Sequence, residues 1–204
     1  MKRLTLAAAL MLLTMILVPA VNATTLFQLK GNAAVEAVDE AVSFPLTVGG
    51  ITATLTANVG VLNTTASGFG VNHPTTGDPT DHIDGMFAIE TVSIVFNLPV
   101  RLDQIVLSDF TGSTTGDLAS LTIDGFPLLT LNPTAPALDV YNFSSNNTLP
   151  AGQSIVLAFV AGNGFSFDSF SVTVPEPASW LLISVGMVLL LGLRVRSQLW
   201  SRRA

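Results

Sequence analysis

Ile51-Thr52-Ala53-Thr54-Leu55-Thr56-Ala57-Asn58 alternates apolar and polar residues without a break. A period of two puts Ile51, Ala53, Leu55 and Ala57 on one face and the threonines with Asn58 on the other, the pattern of a half-buried strand. A helix would scatter the same residues around its circumference. Ser43–Val48 lies across Gly49-Gly50, two residues free to take positive φ, and that spacing specifies a two-residue hairpin.

The same grammar runs outward in both directions. Residues 25–30 read as a first strand. Residues 90–98 and 102–110 form a pair around Pro99, and Leu118–Ile123 pairs with 126–131 across Asp124-Gly125, a strong hairpin signal. Ser154–Ala161 and 165–174 flank Gly162-Asn163-Gly164 as a third hairpin. Only 33–42 has helical spacing, and with Glu36, Asp39 and Glu40 it reads as a surface loop or a turn or two of helix. About ten strands in antiparallel hairpins predict an all-β fold, an antiparallel two-sheet sandwich of jelly-roll or immunoglobulin-like type. The eight aromatic residues Phe69, Phe87, Phe96, Phe110, Phe159, Phe165, Phe167 and Phe170 are expected in its core.

The two ends of the chain differ from this body. Met1-Lys2-Arg3, the apolar run 4–18 and the small residues Val21 and Ala23 have the layout of a secretory signal peptide over 1–23, cut between Ala23 and Thr24. At the other end, Pro175-Glu176-Pro177 precedes 16 uncharged residues, 178–193, and then Arg194, Arg196, Arg202 and Arg203. The prolines hold the approach extended, the apolar run is a single transmembrane helix, and the arginines hold its far end in the cytoplasm. Sixteen helical residues span about 24 Å, short of a hydrocarbon core of about 30 Å, so the helix leans on snorkelling Arg194 and local thinning of the bilayer.

The tail, taken with the signal peptide, resembles the PEP-CTERM sorting signal of Gram-negative bacteria. Its arginines are split by Ser197-Gln198-Leu199-Trp200-Ser201 and its apolar stretch has only two glycines, two departures from the usual form. Two stretches of the body resemble other PEP-CTERM ectodomains: Gly68-Phe69-Gly70-Val71 with Asp81-His82-Ile83-Asp84-Gly85 and Glu90, and Phe167-Asp168-Ser169-Phe170-Ser171-Val172-Thr173. The resemblance implies export through the Sec translocon with signal peptidase and then reading of the tail by exosortase, a membrane-embedded cysteine transpeptidase-like enzyme. It implies transient anchoring in the inner membrane, a final place at the cell surface or in the extracellular matrix, and a setting rich in exopolysaccharide. The domains are then 1–23, the exported body 24–174, and the sorting tail 175–204.

Charge narrows what the body can bind. Only Lys30 and Arg101 of the eight basic residues lie within 24–174, against thirteen of the fourteen acids, a formal charge of −11. Such a surface repels nucleic acid and anionic lipid and offers carboxylates to a hard cation. With no cysteine there is no disulfide, thiolate metal site or thiol nucleophile.

Titratable groups concentrate in 72–85, which holds His73, Asp78, Asp81, His82 and Asp84, with Glu90 shortly after. Asp81, Asp84 and Glu90, then Asp78, are the expected ligands of a calcium ion, although their spacing is not that of a calcium-loop motif. The competing reading is a solvated loop whose aspartates cap turns. His73 and His82 lack a third ligand at zinc-site spacing. The chain has no Gly-x-Ser-x-Gly elbow and no phosphate loop, which points away from an enzyme. The first expectation is a non-catalytic structural or adhesive matrix protein; the second is a calcium-dependent carbohydrate-binding module, and the third a secreted hydrolase. Against a sugar platform stands the aromatic inventory of the body, phenylalanine with one tyrosine, Tyr141, and no tryptophan.

Overall fold

The computed structural model describes residues 23–32, 35, 38–73, 82–111, 116–124, 129–134, 138–143, 147–175 and 186. The expected signal peptide before Ala23 lies outside the described residues. So do Asp78, Asp81, Glu176, Pro177, the apolar run apart from Gly186, and Arg194, Arg196, Arg202 and Arg203.

In chain order the strands are β1 (Thr24–Gln28), β2 (Ser43–Val48), β3 (Ile51–Ala57), β4 (Val61–Thr65), β5 (Gly68–Asn72), β6 (Thr91–Phe96) and β7 (Val100–Ser108), followed by β8 (Leu118–Ile123), β9 (Leu129–Leu131), β10 (Leu138–Asn142), β11 (Thr148–Leu149), β12 (Ser154–Ala161) and β13 (Ser166–Thr173). They form two wholly antiparallel sheets. One runs β10-β7-β13-β5-β4, with β1 also on β13 and β11 also on β7; the other runs β2-β3-β6-β12-β8-β9. The protein is all-β, as its alternation predicts.

The hairpin β2–β3 stands where Gly49-Gly50 puts it. β8 and β9 also pair, but with Leu121 opposite Leu129, a register one residue off that of a two-residue Asp124-Gly125 turn, and β9 begins at Leu129 rather than 126. Two other expected pairs are corrected. β12 and β13 are not a hairpin, because β12 lies between β6 and β8 in one sheet while β13 lies in the other. β6 and β7 also belong to different sheets, so Pro99 sits in a crossover rather than a hairpin turn. Residues 165–174 alternate Phe and Val with mostly small polar residues, which a strand in the middle of a sheet can bury on its second face. β13 takes that place, with every residue from Ser166 to Thr173 buried.

The two longest strands of the first sheet each carry two short ones end to end: β10 and β11 along β7, β1 and β5 along β13. Both long strands contain an irregularity, and in each case the extra residue is an acid. Phe167 pairs with Leu107 and Ser169 with Val106, leaving Asp168 as a bulge. Ser171 pairs with Gln104 and Val172 with Leu102, leaving Asp103 as a second. Strict alternation would turn Phe167 and Phe170, three apart, to opposite faces. The one-residue bulge restores the phase, so both rings enter the core. The bulge carbonyl of Asp168 accepts from Leu29 N at 2.9 Å and Lys30 N at 3.0 Å.

The inner faces of the sheets meet through phenylalanine. Phe170 stacks on Phe27 at 4.7 Å and lies edge-on to Phe96 of the opposite sheet at 6.0 Å. Phe69, Phe96, Phe110, Phe165, Phe167 and Phe170 are buried as expected, Phe159 is half-buried, and Phe87 is exposed, which corrects its place in the expected core. The described core residues all lie within Ala23–Pro175, a compact unit with its own interior, so that segment can fold without the chain termini.

Two of the outer strands, β2 and β4, are guarded. β2 carries Pro45, whose missing donor is tolerated only on an edge. β4 is covered by the segment before β2: Leu62 and Ala41 exchange backbone hydrogen bonds at 2.7 and 3.1 Å, and Thr64 Oγ1 donates to Val35 O at 2.6 Å. Val35, Val38 and Ala41 therefore cover this edge, with the two valines buried.

Candidate functional site

β13 spans about 25 Å and defines two poles. At its end, Thr173 is in register with Thr24 and Arg101. The Arg101 guanidinium holds Asp103 Oδ1 through Nη2 at 2.9 Å and Nε at 3.0 Å, Thr173 Oγ1 donates to Asp103 Oδ2, and Thr24 Oγ1 lies 3.4 Å from Thr173 Oγ1. One of the two bases in the body is thus spent on the place where the chain leaves the sandwich. Ala23, Thr24 and Pro175, three of the expected processing residues, gather here.

The opposite pole collects the connections after β5, before β6, after β7 and between β12 and β13. The structure brings together two of the four expected calcium ligands. Glu90 Oε2 accepts from Asp84 N at 2.9 Å, and Glu90 N donates to Asp84 O at 3.0 Å. Asp84 Oδ1 accepts from Met86 N at 2.8 Å, an aspartate folded onto its own turn. Both carboxyl groups are buried, at 3% and 2% exposure. Glu90 O also accepts from Phe159 N at 3.1 Å, and Ile83 bridges Phe165. The pair therefore pins the turn 84–90 between the two sheets, and the turn-capping role weighed from sequence is present at Asp84.

His73 and His82 do not converge on a third ligand: among the described residues no three His, Cys, Asp or Glu groups are placed to hold a metal. The His82 ring lies 3.7 Å from Asp109, and the His73 ring lies 6.1 Å from the Phe87 ring.

Sequence reasoning passed over two buried acids. Asp117 accepts from Thr111 N at 2.8 Å and Thr111 Oγ1 at 3.2 Å through one oxygen, and from Asn163 N at 2.7 Å through the other. Asp139, on an edge strand, faces inward and accepts from Thr134. The available signal was position: each lies within a residue or two of a turn, where a carboxylate satisfies loop donors.

Tyr141, beside Asp139, donates to Asn132 O at 2.7 Å. Burial, and then the Asp139 carboxylate, raise its phenol well above the ordinary range. An unfolded chain releases the phenolic proton above roughly pH 10, while the folded chain keeps it. Folding stability from this group is therefore intact below that pH and falls as pH rises above it. Because Tyr141 is the sole tyrosine, phenolate absorbance reads it directly. It should appear only together with alkaline unfolding, and Tyr141→Phe should delay that unfolding. Half-titration near the ordinary value with the fold intact would refute the assignment.

The architecture defines an all-β protein of two facing antiparallel sheets. No known family, no curated protein and no solved structure matches the chain.

Proposed function

We propose that this chain is an exported, exosortase-sorted protein of the cell surface or extracellular matrix, its sandwich a non-catalytic structural or adhesive module associated with exopolysaccharide. The observation that carries the reading is the join between sandwich and tail. β13, a central strand, ends at Thr173, and Pro175 follows after the single residue Val174. A cut beyond Pro175 spares every strand. β1 begins at Thr24, so signal peptidase acting between Ala23 and Thr24 after passage through the Sec translocon also removes nothing from the sheets. Replacing Pro175, Glu176 and Pro177 together by alanine should leave an uncleaved protein in the inner membrane. Unchanged mature mass and unchanged location would sink the sorting reading.

The strand order supports the jelly-roll form of the sandwich. Of the eight strands β5, β6, β7, β8, β9, β10, β12 and β13, the first pairs the last, the second pairs the seventh, the third pairs the sixth and the fourth pairs the fifth. That is one long hairpin folded over into two Greek keys, with β1 to β4 and β11 added around it.

The second reading is a calcium-dependent carbohydrate-binding module. The two buried acids Asp84 and Glu90, joined through Asp84 N and close in sequence to Asp78 and Asp81, favour it, because carboxylates gathered at one turn suit a hard cation. Retention on the producing organism's exopolysaccharide that a chelator abolishes would decide for this reading; retention indifferent to chelator would decide against it.

A further inference from the structure

We propose that the turn at residues 86–89 is a platform for the apolar face of a neutral polysaccharide, with Phe87 as the stacking ring and the His73 imidazole beside it as a hydrogen-bonding neighbour. The proposal rests on the exopolysaccharide-associated reading above and gives it a site.

Met86, Phe87 and Ile89 are 57%, 46% and 67% exposed, and Val160, which follows the residue bonded to Glu90 O, is 49% exposed. The turn is held at both ends. Asp84 and Glu90 close its base, Asn58 Nδ2 donates to Ile89 O at 2.9 Å, and Asn58 Oδ1 accepts from Thr91 N at 2.8 Å. Gly85 packs so closely on Phe159 that a Cβ there would lie 2.5 Å from the ring. A rigid turn that holds apolar side chains out of an available core has its ordering cost met before a ligand arrives.

The choice of occupant follows from area and charge. The side chains of Met86, Phe87 and Ile89 offer at most a few hundred Å², well below the roughly 800 Å² per partner of a stable dimer, so a second copy does not fit. A polyanion meets a body of formal charge −11. Insertion into a bilayer favours a basic rim, but the body has only Lys30 and Arg101, and Arg101 is committed to Asp103 at the other pole. A neutral sugar chain presents C–H faces to a ring and hydroxyls to an imidazole, and asks for no cation.

The test is calorimetric titration of the segment 24–175, in chelator, with a soluble β-glucan, a galactomannan, alginate and phosphatidylcholine vesicles. A neutral polymer should bind and alginate should not. Phe87→Ala should weaken binding about tenfold or more with an unchanged melting midpoint, and Phe87→Trp should retain it. The proposal is overturned if neither neutral polymer binds, if Phe87→Ala binds like the parent, or if vesicles are the preferred ligand. Because the alanine replacement of Pro175, Glu176 and Pro177 reads processing and not glycan binding, failure here and failure of the sorting reading are distinguishable.

Discussion

Phe170→Ala should lower the unfolding free energy of the sandwich by about 4 kcal/mol, the upper range for truncating a buried aromatic. Phe170 is fully buried and touches rings on three strands: Phe27 stacked at 4.7 Å, Phe167 stacked at 5.5 Å and Phe96 edge-on at 6.0 Å. Removing it forfeits burial of the ring, opens a cavity that β-sheets on both sides cannot close, and deletes three aromatic contacts. In urea the midpoint should fall with little change in slope, and the melting midpoint should drop on the order of 10 °C for a domain of this size. Leu26→Ala is the matched control. It lies on β1 beside Phe27 but is 51% exposed, and it should cost well under 1 kcal/mol. A loss below about 1.5 kcal/mol for Phe170→Ala would mean that the two sheets do not meet through this ring.

Asp117→Ala should cost about 3 kcal/mol, since it leaves three donors short of an acceptor in a buried place. Asp117 is 1% exposed and ties the connection after β7 to the one between β12 and β13. That second connection is fitted around it: Gly162 has φ +104°, and a Cβ there would lie 2.0 Å from Asp117 Oδ1 and 2.5 Å from Asp117 Cα. Gly162→Ala should therefore be at least as damaging as Asp117→Ala. The double variant should fall short of the sum, because the side-chain clash is shared, but should not recover, because the clash with Cα stays. Amide exchange at Asn163 and Thr111 gives the local readout. Both should exchange faster in Asp117→Ala, and unchanged protection with stability within 1 kcal/mol of the parent would show that the carboxylate is dispensable.

The two alterations act on different parts of the same design. Phe170 joins the sheets, whereas Asp117 joins the loops of the pole that presents Asp84, Glu90 and the 86–89 turn. A pole built from four connections that are far apart in sequence is held by carboxylates accepting backbone donors, and this is where many of the body's acids go. The high acid content is therefore partly structural, with Asp117, Asp139, Asp84 and Glu90 each accepting loop or backbone donors.

What the sequence determined by itself is local. Alternation at 51–58 and the two-residue turn Gly49-Gly50 set strands and a hairpin, because side-chain period and turn geometry act between neighbours. Asp124-Gly125 marked a second hairpin without fixing its register. The imbalance of acids over Lys30 and Arg101 set the sign of the surface. The bulge at Asp168 was not read from the sequence, although its trace is there: Phe165 and Phe167 alternate with polar residues, and Phe170 and Val172 resume the alternation one place out of phase. What only the tertiary structure decided is long-range. Nothing local sends β12 and β13 to different sheets or pairs Thr24 with Thr173, since those contacts depend on how two faces close over one core. The same closure buried Asp84 and Glu90 and bound them to backbone donors. It also left Phe87 outside, because the turn that carries it is closed at its base before the ring can reach the interior.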